Sequence, residues 1–178
     1  MAGVRQRGAR VVVFTNSLAS TNVLSVHSGY QRYRRALLEA GVELYEIKPA
    51  VSSQPHRSGW IGSKSPGGTG GAGLHAKAFS FDRRVGYVGS YNLDPRSSRL
   101  NTEMGVVFDC PDLAKRLPEE IESHLAHTAW RVELAGGRLV WVTQEGGNEV
   151  RYTTEPDSTA WTRLKVKLMS WLPIEWLL

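Results

Sequence analysis

Between Pro49 and Gly73 serine, glycine and proline dominate, and the run GGTGGAG has almost no side chains to pack. Such a stretch extends neither a helix nor a strand, so the chain on each side of it must supply its own regular elements. A loop this long inside a compact domain usually has a gating or binding role. Arg57, Trp60 and Lys64 can meet an anionic, partly apolar substrate, and a plain disordered insert is the equal alternative. GGTGG is not a dinucleotide or Walker phosphate loop, because the flanking strand–helix order and the Lys-Ser/Thr ending are both missing.

Before the break, Arg10 to Phe14 reads as a buried strand, with Thr15, Asn16 and Ser17 supplying polar groups where the carboxyl edge of a sheet meets a cleft. Tyr30 to Ala40 has helical periodicity and Gly41 ends it. Tyr30, Tyr33, Leu37 and Leu38 share one side, which sends Arg32, Arg34 and Arg35 toward solvent. The alternating VELYEI of Val42 to Ile47 then returns as a strand, so this part predicts a β-α-β unit with a right-handed crossover.

After the break comes the run LHAKAFSFD, residues 74–82. In a strand, His75 and Lys77 emerge on one face, and Asp82, at odd spacing from His75, faces the other way, which favours a structural role for it. Imidazole titrates nearest neutrality, and an adjacent ammonium favours its neutral, nucleophilic form while attracting an anion. Asp82, Arg83 and Arg84 form a turn into a second strand, Val85 to Gly89, which presents Ser90 and Asn92 to non-bridging phosphate oxygens. Glu103 precedes a third strand, Met104 to Phe108, and is the carboxylate expected to orient the imidazole. Arg96 and Arg99 in the connection are phosphate contacts or surface residues.

His75-x-Lys77 with Asp82, then Gly89-Ser90-x-Asn92, then Glu103, resembles the phospholipase D superfamily. The resemblance implies an α/β fold, a mixed β-sheet flanked by helices, in one domain over residues 1–178. It also implies a site built from two copies of the motif, in which one histidine forms a phosphohistidine and the other protonates the leaving alcohol, with no metal and no other cofactor. Transferred by position, the catalytic set is His75, Lys77, Asp82 and Glu103, with Ser90 and Asn92 holding phosphate. The segment TNSLASTNVLSVHSGYQRYR looks like the cardiolipin synthase branch, where its Asn and His lie near the substrate cavity. Asn16 and His27 are therefore second-rank substrate contacts, with loop or capping roles as the alternative.

Pro111 to Thr128 reads as helical with a break at Pro118, and His124 and His127 lie one turn apart there without a third metal ligand in view. Trp130–Leu134, Arg138–Thr143 and Glu149–Thr153 read as antiparallel strands joined by Gly136-Gly137 and Gly146-Gly147-Asn148 turns, extending the sheet. The tail from Trp161 to Leu178 mixes Trp, Leu, Val and Met with Arg163, Lys165 and Lys167, so it suits a membrane interface or docking onto the protein itself. It also resembles the carboxyl end of cardiolipin synthase-like proteins.

A net charge of +5 favours anionic partners and does not choose between phospholipid and nucleic acid. Cys110, the sole cysteine, allows no intrachain disulfide. The apolar run Val11 to Phe14 is too short for a signal-peptide core or a bilayer span, giving the expectation of a cytoplasmic or peripheral membrane location.

There is one His-x-Lys where two are needed. Either two identical chains pair about a two-fold axis, or the chain is the second half of a longer protein and an N-terminal half supplies the other histidine. The expected activity is a phosphatidyltransferase or phosphodiesterase on phospholipids. The rivals are a metal-independent nuclease of the same fold and a non-catalytic half-domain.

Overall fold

The computed structural model describes residues 1–49 and 74–171, so the expected 49–73 loop beyond Pro49 and the tail beyond Trp171 lie outside the described residues. After a short helix α1 (Ala2–Gln6), strand β1 (Val12–Asn16) and strand β2 (Glu43–Ile47) lie parallel, Val12 opposite Glu43 and Asn16 opposite Ile47. Helices α2 (Leu24–Gln31) and α3 (Arg34–Glu39) connect them. The β-α-β reading therefore holds, but its helix is two, broken at Arg32 and Tyr33.

That break changes which residues face inward. Arg34, expected in solvent, is buried at 2% exposure. Its guanidinium Nε lies 2.8 Å from Glu46 Oε1, its Nη1 reaches Glu155, and its plane sits 4.9 Å from the Tyr30 ring centroid and 5.4 Å from that of Trp141. A buried guanidinium survives only with its charge matched, and here the Glu46 and Glu155 carboxylates match it. Tyr30 Oη and Trp141 Nε1 donate to the two oxygens of Glu46, both at 2.9 Å, so the carboxylate at the centre of β2 is satisfied on every side.

Strands β6 (Ala129–Ala135), β7 (Arg138–Glu145) and β8 (Asn148–Tyr152) extend the sheet antiparallel, giving the order β1-β2-β6-β7-β8. Both hairpins turn on a glycine pair, Gly136-Gly137 (φ 56°, 74°) and Gly146-Gly147 (φ 57°, 83°). Two successive left-handed residues make the tight turn whose twist matches the strands, and only glycine adopts it freely. Asn148 opens β8 and is not part of the second turn. Leu44, Trp130, Val132 and Trp141 form the core of this sheet, with Val13, Tyr30, Leu38, Leu139 and Tyr152 packed around them.

The fold is thus α/β with a mixed sheet and flanking helices. The predicted catalytic strands form a separate three-stranded antiparallel sheet, β3 (Ala78–Phe81), β4 (Val85–Gly89) and β5 (Gly105–Asp109). Between β4 and β5 lies a one-turn helix, α4 (Pro95–Arg99), capped by Asp94, whose carboxylate accepts from Ser97 N at 2.7 Å. Helices α5 (Pro111–Ala114) and α6 (Arg116–Thr128) tie the small sheet to the large one. Ser80 Oγ donates to Ala114 O at 2.7 Å, and Glu122 accepts from Arg10 of the large sheet's edge and from Arg83 of the β3–β4 turn. The break between these helices falls at Lys115, not at Pro118. Pro118 sits in the first turn of α6, where its missing N–H would have had no intrahelical partner. A final helix, α7 (Ala160–Met169), is capped by Thr159 and lies against α2 through Val166.

Candidate active site

The site begins at the end of β1. The Asn16 carboxamide forms two hydrogen bonds with the backbone of Leu74: Nδ2 donates to Leu74 O at 2.8 Å, and Leu74 N donates to Oδ1 at 2.7 Å. One side chain thus does what a pair of ladder bonds would do and fixes the chain one residue before His75. Ser17 and Ser20, both buried, close a tight hydroxyl turn beneath it.

His75 and Lys77 were expected within a strand, but β3 starts only at Ala78. A single ladder bond, Gly89 N to Lys77 O at 3.1 Å, continues past its start. Freed from pleat geometry, the two side chains meet: Lys77 Nζ is 3.1 Å from His75 Nε2 and 3.3 Å from His75 O. An ammonium can only donate, so this contact places a bare lone pair on Nε2 and the ring proton on Nδ1. Burial lowers the Lys77 pKa from the ordinary lysine value, against the opposing pull of the Glu103 and Asp94 carboxylates.

Across the pocket, Ser90 locks the ends of β4 and β5. Its N–H donates to Met104 O at 2.8 Å, and its Oγ accepts from Met104 N at 3.0 Å. The hydroxyl donates to Glu103 Oε2, while Asn101 Nδ2 donates to the other carboxylate oxygen at 3.2 Å. These bonds, the one from Ser90 foremost, lower the Glu103 pKa and keep it ionised. The carboxylate expected to hold His75 is therefore held by Ser90 and Asn101, and it lines the same pocket as His75 without a bond to it. The Asn92 carboxamide also lines the pocket and has no hydrogen-bond partner among the described residues.

The glycine before Ser90 is there for space. A Cβ on Gly89 would lie 2.3 Å from Tyr87 Oη and 2.4 Å from Met104 O, and one on the facing Gly105 would meet the Tyr87 ring at 2.3 Å. Tyr87 lies across this glycine pair, against Phe79 with ring centroids 5.4 Å apart, and its hydroxyl oxygen accepts from Tyr91 N at 3.4 Å. Tyr87, Asn101 and Thr102 were not picked out as site residues from the sequence. The alternation of VGYVG was the available signal for Tyr87.

Six of the eight predicted positions come together here: His75, Lys77, Ser90, Asn92 and Glu103 line an open polar cavity of ≈ 600 Å³, and Asn16 anchors its floor. Two do not. His27, expected near substrate, is buried at 2% exposure with Nε2 2.8 Å from Arg34 Nη2 and 3.4 Å from Glu155 Oε1, so it serves the internal charge cluster. Asp82 is exposed in the β3–β4 turn with φ 53°, beyond the far end of β3 from His75. Among the described residues no three His, Cys, Asp or Glu side chains are grouped to hold a metal ion.

Residues 1–125, which contain every residue of this pocket, match the family described as cardiolipin synthase, PLD-like domain. The chain belongs to this family. Its cardiolipin synthase-like relatives include cardiolipin synthase C of Escherichia coli (strain K12), 42% identical over 99% of this chain and 38% of that protein. An uncharacterized protein of Helicobacter pylori (strain ATCC 700392 / 26695) is 32% identical over 89% of this chain and 30% of its own length. Cardiolipin synthase A of Buchnera aphidicola subsp. Baizongia pistaciae is 26% identical over 70% and 20%. The chain therefore spans about two fifths or less of the length of these relatives. No solved structure gives a significant match. The match to the cardiolipin synthase C relative continues past residue 125 through β6–β8 and α7, so the resemblance of the tail noted in the sequence is part of a nearly full-length alignment of this chain.

Proposed function

We propose that this chain supplies one half of a phosphatidyltransferase site acting on phospholipid phosphodiesters at a membrane surface. The observation that carries this is the 3.1 Å contact between Lys77 Nζ and His75 Nε2 at the mouth of an open polar pocket. In the apo state the ammonium keeps Nε2 unprotonated. When a phosphodiester enters, Nζ turns to a non-bridging oxygen, and the unpartnered Asn92 carboxamide donates to another. Nε2 is then free to attack phosphorus. An N–P bond forms as the P–O bond to the leaving alcohol breaks, and that oxygen takes its proton from a second imidazole. The acceptor alcohol gives its proton back to that imidazole as it displaces Nε2. Glu103 and Ser90 hold the pocket wall and its negative charge close to Lys77, and Asp82 serves the turn alone.

The second imidazole is the missing part, since the chain has a single His-x-Lys. A second copy of the chain, or the remainder of a longer polypeptide, would bring it. Met104, just before β5, and Val106 on the same face of β5, exposed at 83% and 66% beside the pocket, are the apolar surface such a half would cover. No described helix is long and apolar enough to cross a membrane.

The test is release of headgroup from phosphatidylglycerol vesicles in EDTA, run beside cleavage of DNA under the same conditions. Headgroup release that disappears in His75→Ala and Lys77→Met supports the proposal. Cleavage of DNA with no lipid turnover would replace it with the nuclease reading that the +5 charge also allows.

A further inference from the structure

Helix α7 has two faces, and among the described residues only one is packed against the rest of the fold. Val166 is fully buried, and its carbonyl accepts from Gln31 Nε2 of α2. On the other side Trp161, Leu164 and Leu168 are exposed at 63%, 45% and 52%, followed by Trp171 at 73%. Trp171 is held in the closing turn by its N–H on Leu168 O. At 3.6 residues per turn Trp161, Leu164 and Leu168 fall within about 60° of arc. They form an apolar stripe with Trp161 at its start, and exposed Trp171 follows in the closing turn. Lys165 flanks the stripe about 40° beyond Trp161, and Lys167 about 60° beyond Leu164. The Lys165 ammonium stands 5.3 Å from the Trp161 ring centroid. Arg163, by contrast, is engaged with Ser158 O and Oγ.

We infer that this stripe is a docking surface for a lipid bilayer carrying anionic headgroups, with α7 lying in the plane of the interface. Aromatic rings at both ends of a leucine face suit the boundary between headgroups and acyl chains, and lysines on both margins suit anionic headgroups above it. A protein partner would need complementary carboxylates around an apolar groove, whereas a bilayer supplies both whatever the direction of the helix axis within the membrane plane. The inference rests on the reading of the pocket as a phospholipid site, because an enzyme whose substrate is fixed in a bilayer must hold to that bilayer. It places the holding surface on an element separate from the pocket.

Co-sedimentation of the whole chain with vesicles tests it, comparing pure phosphatidylcholine with phosphatidylglycerol in phosphatidylcholine. The wild type should bind the anionic vesicles and release at high salt. Leu164→Glu/Leu168→Glu should lose about tenfold or more of that binding. Lys165→Gln/Lys167→Gln should lose roughly thirtyfold at low salt, at about fivefold per lysine, and should bind phosphatidylcholine as the wild type does. Both leucines are half-exposed, so unchanged circular dichroism and melting temperature are expected, and the lysine pair is a second route that leaves the apolar stripe intact. His75→Ala should bind vesicles normally, which separates failure of the pocket reading from failure of this one. Anionic-vesicle binding that survives both double substitutions would overturn the inference. So would a lipid-free dimer that Leu164→Glu/Leu168→Glu converts to monomer, because the stripe would then be a protein interface.

Discussion

Replacing Asn16 with alanine should disconnect the large sheet from the site. The substitution removes two part-buried hydrogen bonds and leaves Leu74 N–H and C=O without the partners they had at 2.7 and 2.8 Å. At about 1 kcal/mol net for each bond the loss is about 2 kcal/mol. For a chain of this length that corresponds to a fall in melting temperature of about 4–8 °C. The local effect is sharper. Exchange of the Leu74 amide should accelerate at least about fivefold more than exchange at Leu44 in the core, since one lost bond of about 1 kcal/mol is a factor of about five in local opening. Asn16→Asp separates the two bonds: a carboxylate still accepts from Leu74 N–H but faces Leu74 O without a donor. In that variant the amide should stay protected while the melting temperature falls. In an assembled, active enzyme Asn16→Ala should lower kcat on the order of a hundredfold, the effect of misplacing a reacting group by about 1 Å, with a smaller effect on KM. An Asn16→Ala protein with wild-type exchange at Leu74 would refute the claim that this side chain positions the site.

Glu155 makes stability depend on acid. Burial raises its pKa, but its contacts with His27 and Arg34 outweigh burial and bring it to about 2. A depressed carboxylate stabilises the fold fully above its unfolded value near 4.5 and loses that contribution as pH falls toward 2. Stability should therefore drop by about 3 kcal/mol across this window, and Glu155→Gln, measured by denaturant unfolding, should flatten the drop while costing about 3–5 kcal/mol at neutral pH. Gly89→Ala should destabilise by about 1–3 kcal/mol, and adding Tyr87→Phe should rescue it only in part, because Met104 O still stands 2.4 Å from the new carbon. Turnover of a ³²P-labelled phospholipid by self-paired wild-type chains, quenched in detergent at alkaline pH because the N–P bond is labile in acid, should leave label on His75, and His75→Ala should carry none.

The elements were legible in the sequence wherever the determining contacts are local. The two glycine pairs announced the β6–β7 and β7–β8 hairpins because positive φ is a property of the turn residues themselves. The parallel β1–β2 pair and the segment order around His75 followed from alternation and breaks in the same way. Errors arose where the partner is distant. Arg34 reads as one more charge on a helix until Glu155, across the chain in sequence, and Glu46 are brought to it. His27 belongs to the same cluster and does not line the pocket. The motif fixed the pocket's composition but not its bonding: Glu103 was assigned to His75, whereas Ser90 and Asn101, nearer on the β4 and β5 ends, take its oxygens first. The separate three-stranded sheet was invisible to periodicity, since alternation within a strand does not say which sheet it joins.

The central claim is that His75 presents a bare Nε2 beside an ammonium that will pass to a phosphate oxygen. Nitrogen-15 NMR of the His75 ring, with and without dimethyl phosphate, measures this directly. The predicted spectrum shows the proton on Nδ1, an unprotonated Nε2 that shifts on addition of the diester, and no such shift in Lys77→Met. A ring protonated on Nε2 alone in the free protein, or one indifferent to the diester, would contradict it.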